Sequence, residues 1–409
     1  MLARVARWSG YGDAKMNALD IGRGIAILAV IYGHALAPWF MNAGAHFSEG
    51  AFIQWKFGAA FMMAFFFFLS GASWREDKSF ETTLRQAGTL VIIAWLASAV
   101  FEIGHLAISL AGLAETLHAE PITPLQFLRR LARMAVYGDA YSLSALWFLA
   151  ALGVVRVAAA VLRRFGPAAT AAGATLLLAA TLASTEFGWR NVYQLNLIGV
   201  ALVCFLAGHA ARGQLALLER RPAAAYGLLV LSGAVLVATF HLNEGCRWDV
   251  AARCGVDWLN DRFGVSMIIG QFGNLALFAV SAAAGIGFVS AISILLARFG
   301  GVVAARLESW GRNSLNLLVT NCLFLHIGNI AVAVWVVPHV PGEGVIFFIG
   351  LFALTLAANL IAADILARPL RQLHMVSSRL AARIVAIAAA AAAWMAVARR
   401  GDRVTQSHD

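Results

Sequence analysis

The sequence predicts an all-α protein, a polytopic transmembrane helical bundle of about ten or eleven helices. Of its 409 residues, 61% are hydrophobic and 13% are charged, whereas about a quarter of the residues in soluble domains are charged. Apolar stretches of roughly 20 residues recur along the whole chain, and each is long enough to cross a bilayer as a helix. A soluble protein cannot bury so many apolar stretches, so we expect one membrane-embedded unit.

The predicted spans divide the chain into three regions. Residues 1–17 form a polar N-terminal segment, residues 18–366 form the transmembrane bundle, and residues 367–409 form a loop, an alanine-rich eleventh helix and a tail. The eighth apolar segment is longer than one crossing requires. In chain order the expected spans are 18–40, 52–74, 87–110, 143–162, 168–184, 191–211, 224–241, 266–296, 314–337, 345–366 and 380–397.

The distribution of basic residues predicts the orientation of the bundle, because cytoplasmic loops of membrane proteins are enriched in Lys and Arg. Seventeen Lys and Arg residues fall on the side that bears the N-terminus, and ten fall on the opposite side. The N-terminus and the loop that begins at residue 367 are therefore expected in the cytoplasm. No cleavage-site pattern follows the first apolar run, so this run is expected to remain as an anchor.

Charge and cysteine content exclude two classes of site. The net charge of +10 does not indicate nucleic-acid binding, because the basic residues lie in short segments between apolar runs. No Cys/His spacing resembles a zinc site, so no metal is expected. Cys204 and Cys322 fall inside predicted spans and are expected to pack as small apolar residues. Cys246 and Cys254 share one outer loop, where an oxidising compartment would permit a disulfide.

Two outer segments are long enough to contribute to function. Residues 111–142 include a basic amphipathic stretch, 127–134, which predicts a helix lying flat at the membrane surface or a lid over a substrate path. Residues 241–263 are polar and contain both Trp and Asp, a mixture common where sugars are handled. Trp near a membrane surface also serves as an anchor, so both interpretations stay open.

The first span carries the densest set of polar groups at membrane depth. Arg23 and His34 are separated by eleven residues, which places them on one helix face and about 16 Å apart along the axis. A guanidinium near the cytoplasmic edge can bind phosphate, and a deeper imidazole would stand where a long, thin ligand ends. The alternative is an Arg that reaches the lipid headgroups and a His hydrogen-bonded between helices.

Four segments in chain order resemble a known family. The first span, Leu19-Asp20-Ile21-Gly22-Arg23-Gly24 followed by Val30-Ile31-Tyr32-Gly33-His34, has the R-x10-H pattern that opens the acyltransferase family 3 membrane proteins. In detail it is similar to their fucose 4-O-acetylase-like branch. The segments Phe66-Phe67-Phe68-Leu69-Ser70-Gly71, Leu146-Trp147-Phe148-Leu149-Ala150-Ala151-Leu152 and Gly311-Arg312-Asn313-Ser314-Leu315, the last followed by His326, resemble three further family motifs. The resemblance spans roughly residues 18–366.

This resemblance implies an enzyme that moves an acyl group from acyl-CoA, usually acetyl-CoA, to a hydroxyl group that is often on a sugar. It implies polysaccharide O-acetylation at the inner (cytoplasmic) membrane of a bacterium, with membrane lipid and a carbohydrate acceptor as partners. The acceptor, the acyl chain and the oligomeric state stay open. A secondary transporter or flippase would also bury Arg, His and Glu along its path, but the sequence has no internal repeat of the kind that such folds often show.

The resemblance also implies roles for individual residues. His34 is expected to be the general base or a transient acyl carrier, and Arg23 to bind the phosphates of acyl-CoA. Glu102 and His105, three residues apart, form either a carboxylate that orients an imidazole or a buried pair that satisfies itself. His326 is expected at a depth like that of His34, with a catalytic or a packing role.

The remaining candidates lie near the cytoplasmic ends of their helices. Ser70 has either a packing role beside Gly71 or a ligand contact. Asn313 and Ser314 either cap the ninth span or line the cofactor mouth. Arg85 opens the third span, but the family commonly has a second Arg and then a Pro there, and this departure weakens its assignment as a cofactor-binding residue.

Overall fold

The computed structural model describes residues 16–41, 47–114, 120–138, 146–189, 191–243, 264–340 and 342–405, and regular structure in these ranges is helical apart from one isolated bridge, Ser266 to Gln271. The first helices are α1 (Ala18–Leu36), α2 (Pro38–Met41), α3 (Glu49–Ala59), α4 (Met62–Ala72), α5 (Phe80–Leu110), α6 (Pro124–Tyr137), α7 (Trp147–Arg163) and α8 (Pro167–Glu186). They are followed by α9 (Leu195–Ala210), α10 (Arg212–Arg220), α11 (Pro222–Thr239), α12 (Leu275–Phe299), α13 (Gly301–Arg312), α14 (Ser314–Trp335), α15 (Val345–Ile365) and α16 (Ala367–Thr405).

The predicted fold class is confirmed. All eleven expected spans contain helix, and eight helical segments of the described chain are long and apolar enough to cross a membrane, or nine if the bent pair α9 and α10 is one span. The α-helix of the expected eighth span begins only at Leu275; the residues before it form a short 3-10 helix, Met267–Ile269, and a turn. That turn is bound by Asn243, whose side-chain amide donates to the carbonyl oxygens of Phe272 and Asn274.

The C-terminal helix begins earlier than the sequence suggests. A loop was expected from residue 367, but α16 begins there and runs without a break to Thr405. Pro369 does not interrupt it, because a proline in the first helical turn lacks an N–H that would have had no partner there. The residues that follow are mostly good helix formers, and α16 packs along α5.

Helix α1 lies at the centre of the bundle. It packs against α3, α4, α12, α13, α14 and α15, and Ile21, Ile27 and Ile31 on it are almost fully buried. The side chain of Asn17 accepts a hydrogen bond from the backbone N–H of Leu19 and so caps the helix. A polar residue on α1 is therefore enclosed by other helices rather than exposed to lipid.

Two helix crossings depend on glycines from the motif segments. A Cβ atom on Gly24 of α1 would lie 2.0 Å from the carbonyl oxygen of Leu307, and one on Gly311 of α13 would lie 1.7 Å from that of Asp20. A Cβ on Gly71 of α4 would lie 1.8 Å from the carbonyl oxygen of Phe205 in α9. Small residues allow backbones to approach closely in membrane bundles, and here they fix α1 and α4 against their neighbours.

The Gly71 crossing gives a stability prediction. We expect Gly71→Ala to lower the thermal unfolding midpoint of the protein in detergent, because the new methyl group meets backbone atoms that cannot rotate away; overpacking of this kind costs about 1–3 kcal/mol or more. Gly227→Ala in α11 is the matched control, since an added Cβ there would meet no described atom within 4 Å apart from the adjacent backbone of its own helix. Unfolding midpoints are measured by tryptophan fluorescence. Equal midpoints for the two variants would contradict the close crossing.

The structure also places the cysteines and one outer segment. Cys322 is buried in the hydrophobic core, and Cys204 is partly buried and packs against that core. Both are free thiols, as expected for small packing residues. The amphipathic stretch forms α6, which begins with a capping box between Thr123 and Gln126. Cys246 and Cys254, with most of the second outer segment, lie outside the described residues, so their disulfide stays a prediction.

Candidate functional site

A cavity of about 210 Å³ lies between α1, α4, α5, α7 and α14. Helices α1, α4 and α14 each contribute side chains from one face, α5 contributes Leu90, and α7 contributes its first turn with Leu152 and Arg156. Its walls are mostly apolar, and its polar lining groups are two arginines, two serines, an indole and an imidazole. The lining residues are Arg23, Ile27, Val30, His34, Met63, Phe66, Ser70, Leu90, Trp147, Phe148, Leu149, Leu152, Arg156, Ser314, Leu315 and Leu318.

The cavity follows one face of α1. Arg23, Ile27, Val30 and His34 recur at intervals of four, three and four residues, and all four line it. The common face that the spacing of Arg23 and His34 predicts is therefore observed. By helix rise the two polar residues lie about 16 Å apart, with only aliphatic side chains from α1 between them. The result is a narrow, apolar passage that has a cation at one end and an imidazole at the other.

His34 is held by a neighbouring helix. Its Nδ1 lies 2.6 Å from the side-chain oxygen of Asn321 in α14, and Asn321 is 3% exposed. An amide oxygen only accepts hydrogen bonds, so Nδ1 of the neutral ring carries the proton and donates, and Nε2 carries the lone pair. This hydrogen bond to Asn321 fixes both the tautomer of His34 and the orientation of its ring.

Two guanidinium groups line the cavity. Arg23 forms an ion pair with Asp20, three residues earlier on α1. Arg156 comes from α7, and its Nε is buried without a hydrogen-bond partner among the described residues. The lining includes no Asp or Glu. The positive charge of the site is therefore only partly balanced by the protein, which suits an anionic ligand.

Two serines also reach the cavity wall. Ser70 lies on α4 and lines the cavity, and its neighbour Gly71 makes the close crossing with α9. Within this motif, Gly71 therefore has the packing role, and Ser70 is placed where it could contact a ligand. Ser314 at the start of α14 lines the cavity as well. Asn313 is exposed, and its side-chain N–H donates to the carbonyl oxygen of Ser309 instead of capping α14.

The comparison with known families decides the class. A family model described as an acyltransferase domain, that of acyltransferase family 3, matches residues 16–368. The chain belongs to acyltransferase family 3. No curated protein and no solved structure matches it. The protein is accordingly a multi-pass membrane acyltransferase, and the cavity is its candidate active site.

Two residues of this acyltransferase site were missed in the sequence, although each left a signal. Arg156 falls inside the fourth predicted span, and an ionisable residue within a span is a functional candidate by default. Asn321 follows Ser314 by seven residues, which returns it to nearly the same face of α14. The hydrogen bond to His34 shows that this face looks toward α1.

Arg85 is not among the lining residues of the acyltransferase cavity, so its cofactor-binding role stays a prediction. Leu90 is the residue of α5 that faces the cavity. Arg85 precedes Leu90 by five residues, which turns it by about 140° around the helix. Arg85 therefore lies on a different face of α5 from Leu90.

Glu102 is also outside the cavity and belongs to a different cluster. It follows Leu90 by twelve residues, or about 18 Å of helix rise, and its Oε2 accepts a hydrogen bond from Arg130 of α6 at 3.2 Å. Nε2 of His105 lies 2.8 Å from the carbonyl oxygen of Glu120, so Nε2 donates and Nδ1 accepts from Arg130. This cluster ties α6 to α5, but Oε1 of Glu102 is buried without a hydrogen-bond partner among the described residues. The carboxylate is therefore only partly satisfied, and both interpretations of Glu102 stay predictions.

His326 stays untested. The backbone of His326 is helical within α14, five residues or about 7.5 Å beyond Asn321. Its side chain lies outside the described part of the structure. Its catalytic and packing interpretations therefore both remain predictions.

Proposed function

We propose that this acyltransferase transfers an acyl group, acetyl in the expected case, from acyl-CoA to a hydroxyl group of an extracytoplasmic carbohydrate. The observation that carries the proposal is the cavity that joins Arg23 to His34. A thioester donor of this class has a phosphate-rich end, a long thin arm and a reactive carbonyl at the tip, in the same order as the groups along the cavity.

The donor phosphates would bind at the Arg23 end of the cavity. A guanidinium donates two parallel hydrogen bonds to phosphate oxygens, and Ser70 and Ser314 add hydroxyl groups to the same cavity. The arm of the donor would lie along the apolar wall formed by Ile27 and Val30. The nucleotide would remain outside, because a cavity of about 210 Å³ holds only the arm and the acyl group.

His34 would act as the general base. Its Nε2 takes the proton from the acceptor hydroxyl as the oxygen attacks the thioester carbonyl, the C–O bond forms, the C–S bond breaks, and the proton passes to the departing thiolate. Such proton transfer contributes typically about 10²–10⁴-fold in rate. The acyl-carrier role of His34 would use the same Nε2 lone pair, so the contact with Asn321 supports either route.

The acceptor would arrive at the opposite end of the bundle. A polysaccharide is too large and polar to pass the aliphatic stretch between Arg23 and His34, and the longest predicted outer segments, 111–142 and 241–263, lie on the other side. We accordingly assign the protein to polysaccharide O-acetylation in the bacterial inner membrane with its N-terminus in the cytoplasm. The fucose 4-O-acetylase-like motif details support a sugar hydroxyl as acceptor.

A direct transfer assay tests the proposal. The purified protein in lipid nanodiscs is given acetyl-CoA labelled in the acetyl group together with cell-surface carbohydrate from the source cells. We expect label in the carbohydrate that mild alkali releases as acetate, because an ester is the product. Nanodiscs lack a lumen, so transport cannot produce this signal. Intact labelled acetyl-CoA with unlabelled carbohydrate would contradict the proposal, and uptake into sealed vesicles would then favour the transporter alternative.

A further inference from the structure

Arg156 is a charged residue of the bundle wall with a buried nitrogen that has no hydrogen-bond partner among the described residues. It lies on α7 and lines the same cavity as Arg23 and His34. Its Nε is buried and makes no hydrogen bond within the ranges that the structure describes. An arginine inside a membrane is costly and marks a functional site by default, so a guanidinium with a buried, unpartnered Nε favours a bound anion.

The protein supplies little negative charge to this arginine. Asp20 is engaged by Arg23, and no acidic residue is among the cavity lining. Arg23 itself repels the Arg156 charge. Two guanidinium groups on separate helices therefore share one small space, where a buried charge without an opposite charge is costly. A bound dianion would relieve both.

We propose that Arg156 and Arg23 together bind the diphosphate of the acyl-CoA donor, an inference that rests on the proposed function. The diphosphate is the phosphate group joined directly to the arm that carries the thioester, whereas the 3′-phosphate lies beyond it on the ribose. Arg23 lies about 16 Å from His34 along α1. Arg156 lines the same cavity, close enough to Arg23 for the two positive charges to repel each other. Arg156 is thus a donor-binding residue that sets how far the arm enters the cavity.

The depth of Arg156 supports this assignment. It precedes Arg163 at the end of α7 by seven residues, or about 10 Å of rise, and Arg23 follows the first residue of α1 by five, or about 8 Å. Arg163 pairs with Glu76, in the segment that follows α4 and precedes α5, so the end of α7 lies beside the end of α4 that bears Ser70. The two arginines therefore enter the cavity at similar depths from helices on different sides.

The test uses three donors and two variants. Wild type, Arg156→Gln and the control Arg220→Gln, which removes an exposed arginine outside the cavity, are compared with acetyl-CoA, acetyl-dephospho-CoA and acetyl-pantetheine. Acetyl-dephospho-CoA lacks only the 3′-phosphate, and acetyl-pantetheine lacks all phosphates. We expect Arg156→Gln to raise the KM for the first two donors at least tenfold and to leave acetyl-pantetheine unchanged, while Arg220→Gln behaves as wild type.

The outcomes separate this inference from the proposed function. Equal losses with all three donors would show a structural role for Arg156, and a loss confined to acetyl-CoA would assign it to the 3′-phosphate; either result overturns the diphosphate site. No transfer by wild type from any donor would instead refute the proposed function. If Arg156→Gln does not purify, Arg156→Lys carries the test, because it keeps the charge without the planar fork. It is then expected to bind CoA more weakly than wild type in a thermal-shift titration, and equal shifts would overturn the proposal.

Discussion

Replacing His34 with alanine is expected to abolish acyl transfer while the protein still inserts, folds and purifies normally. His34 is the imidazole at the inner end of the cavity, and Asn321 holds its Nδ1 so that Nε2 presents a lone pair. Neither a proton transfer nor an acyl-imidazole can occur without that nitrogen. Loss of a general base typically lowers the rate by about 10²–10⁴-fold, and loss of an acyl carrier would remove the reaction.

The measurement is label transfer from acetyl-CoA to carbohydrate, with elution volume and unfolding temperature recorded for each variant. His374→Ala is the matched control, since His374 is exposed on α16 and its removal should leave transfer at the wild-type level. Binding of CoA to His34→Ala should also be preserved, because the phosphates bind at the Arg23 end. Residual transfer above about a tenth of wild type would exclude His34 as the reacting group, since a general base contributes far more than tenfold.

The part of the site that could be predicted lies within one helix. The relation between Arg23 and His34 depends only on the period of an α-helix, so the sequence fixes their common face without knowledge of the neighbouring helices. A packing role beside Ser70 was likewise predicted for Gly71, which makes the close crossing of α4 with α9. Local periodicity and small-residue patterns are properties of a segment, and they survive whatever packs around it.

The part that could not be predicted depends on how helices face one another. Glu102 and Arg85 are polar residues of one apolar helix, as Arg156 is of another, yet only Arg156 turns toward the cavity. The rotation of α5 is set by contacts with α7 and α16, and it directs Leu90 inward. Glu102 instead meets Arg130 of α6, which is 28 positions away in the chain. No spacing rule within a single span contains that information.

The positions of the helices could be predicted from the sequence, but several of their boundaries could not. The apolar content of each span predicted where a helix crosses, but the breaks between α3 and α4 and between α1 and α2 are packing features. Ala60 and Phe61, which separate α3 from α4, are buried, so the break is an internal bend rather than a surface loop. The early start of α16 depends on the polar segment after residue 367, where hydropathy gives no signal for helix.

The last prediction is that donor and acceptor must be supplied on opposite faces of the membrane. Acyl-CoA is expected to react only from the face that bears the Arg23 end of α1. This face is the predicted cytoplasmic side, because its loops carry seventeen of the Lys and Arg residues counted and the opposite loops carry ten. Its phosphates cannot enter the bilayer core without the arginines that receive them. The aliphatic stretch from Ile27 to Val30 then admits the arm and the acyl group but excludes a sugar polymer, so the acceptor must meet His34 from the other side.

Sealed vesicles of known protein orientation can test this route. Labelled acetyl-CoA, which does not cross a bilayer, is given to one face, and carbohydrate is given to the same or the opposite face. Transfer is expected only with acetyl-CoA on the Arg23 face and carbohydrate on the other; a detergent-permeabilised sample is the control in which every arrangement should react. Transfer that requires both substrates on one face would refute the two-sided route. It would leave acyl transfer itself intact, because the chemistry at His34 needs the two substrates to meet and does not depend on the side from which each arrives.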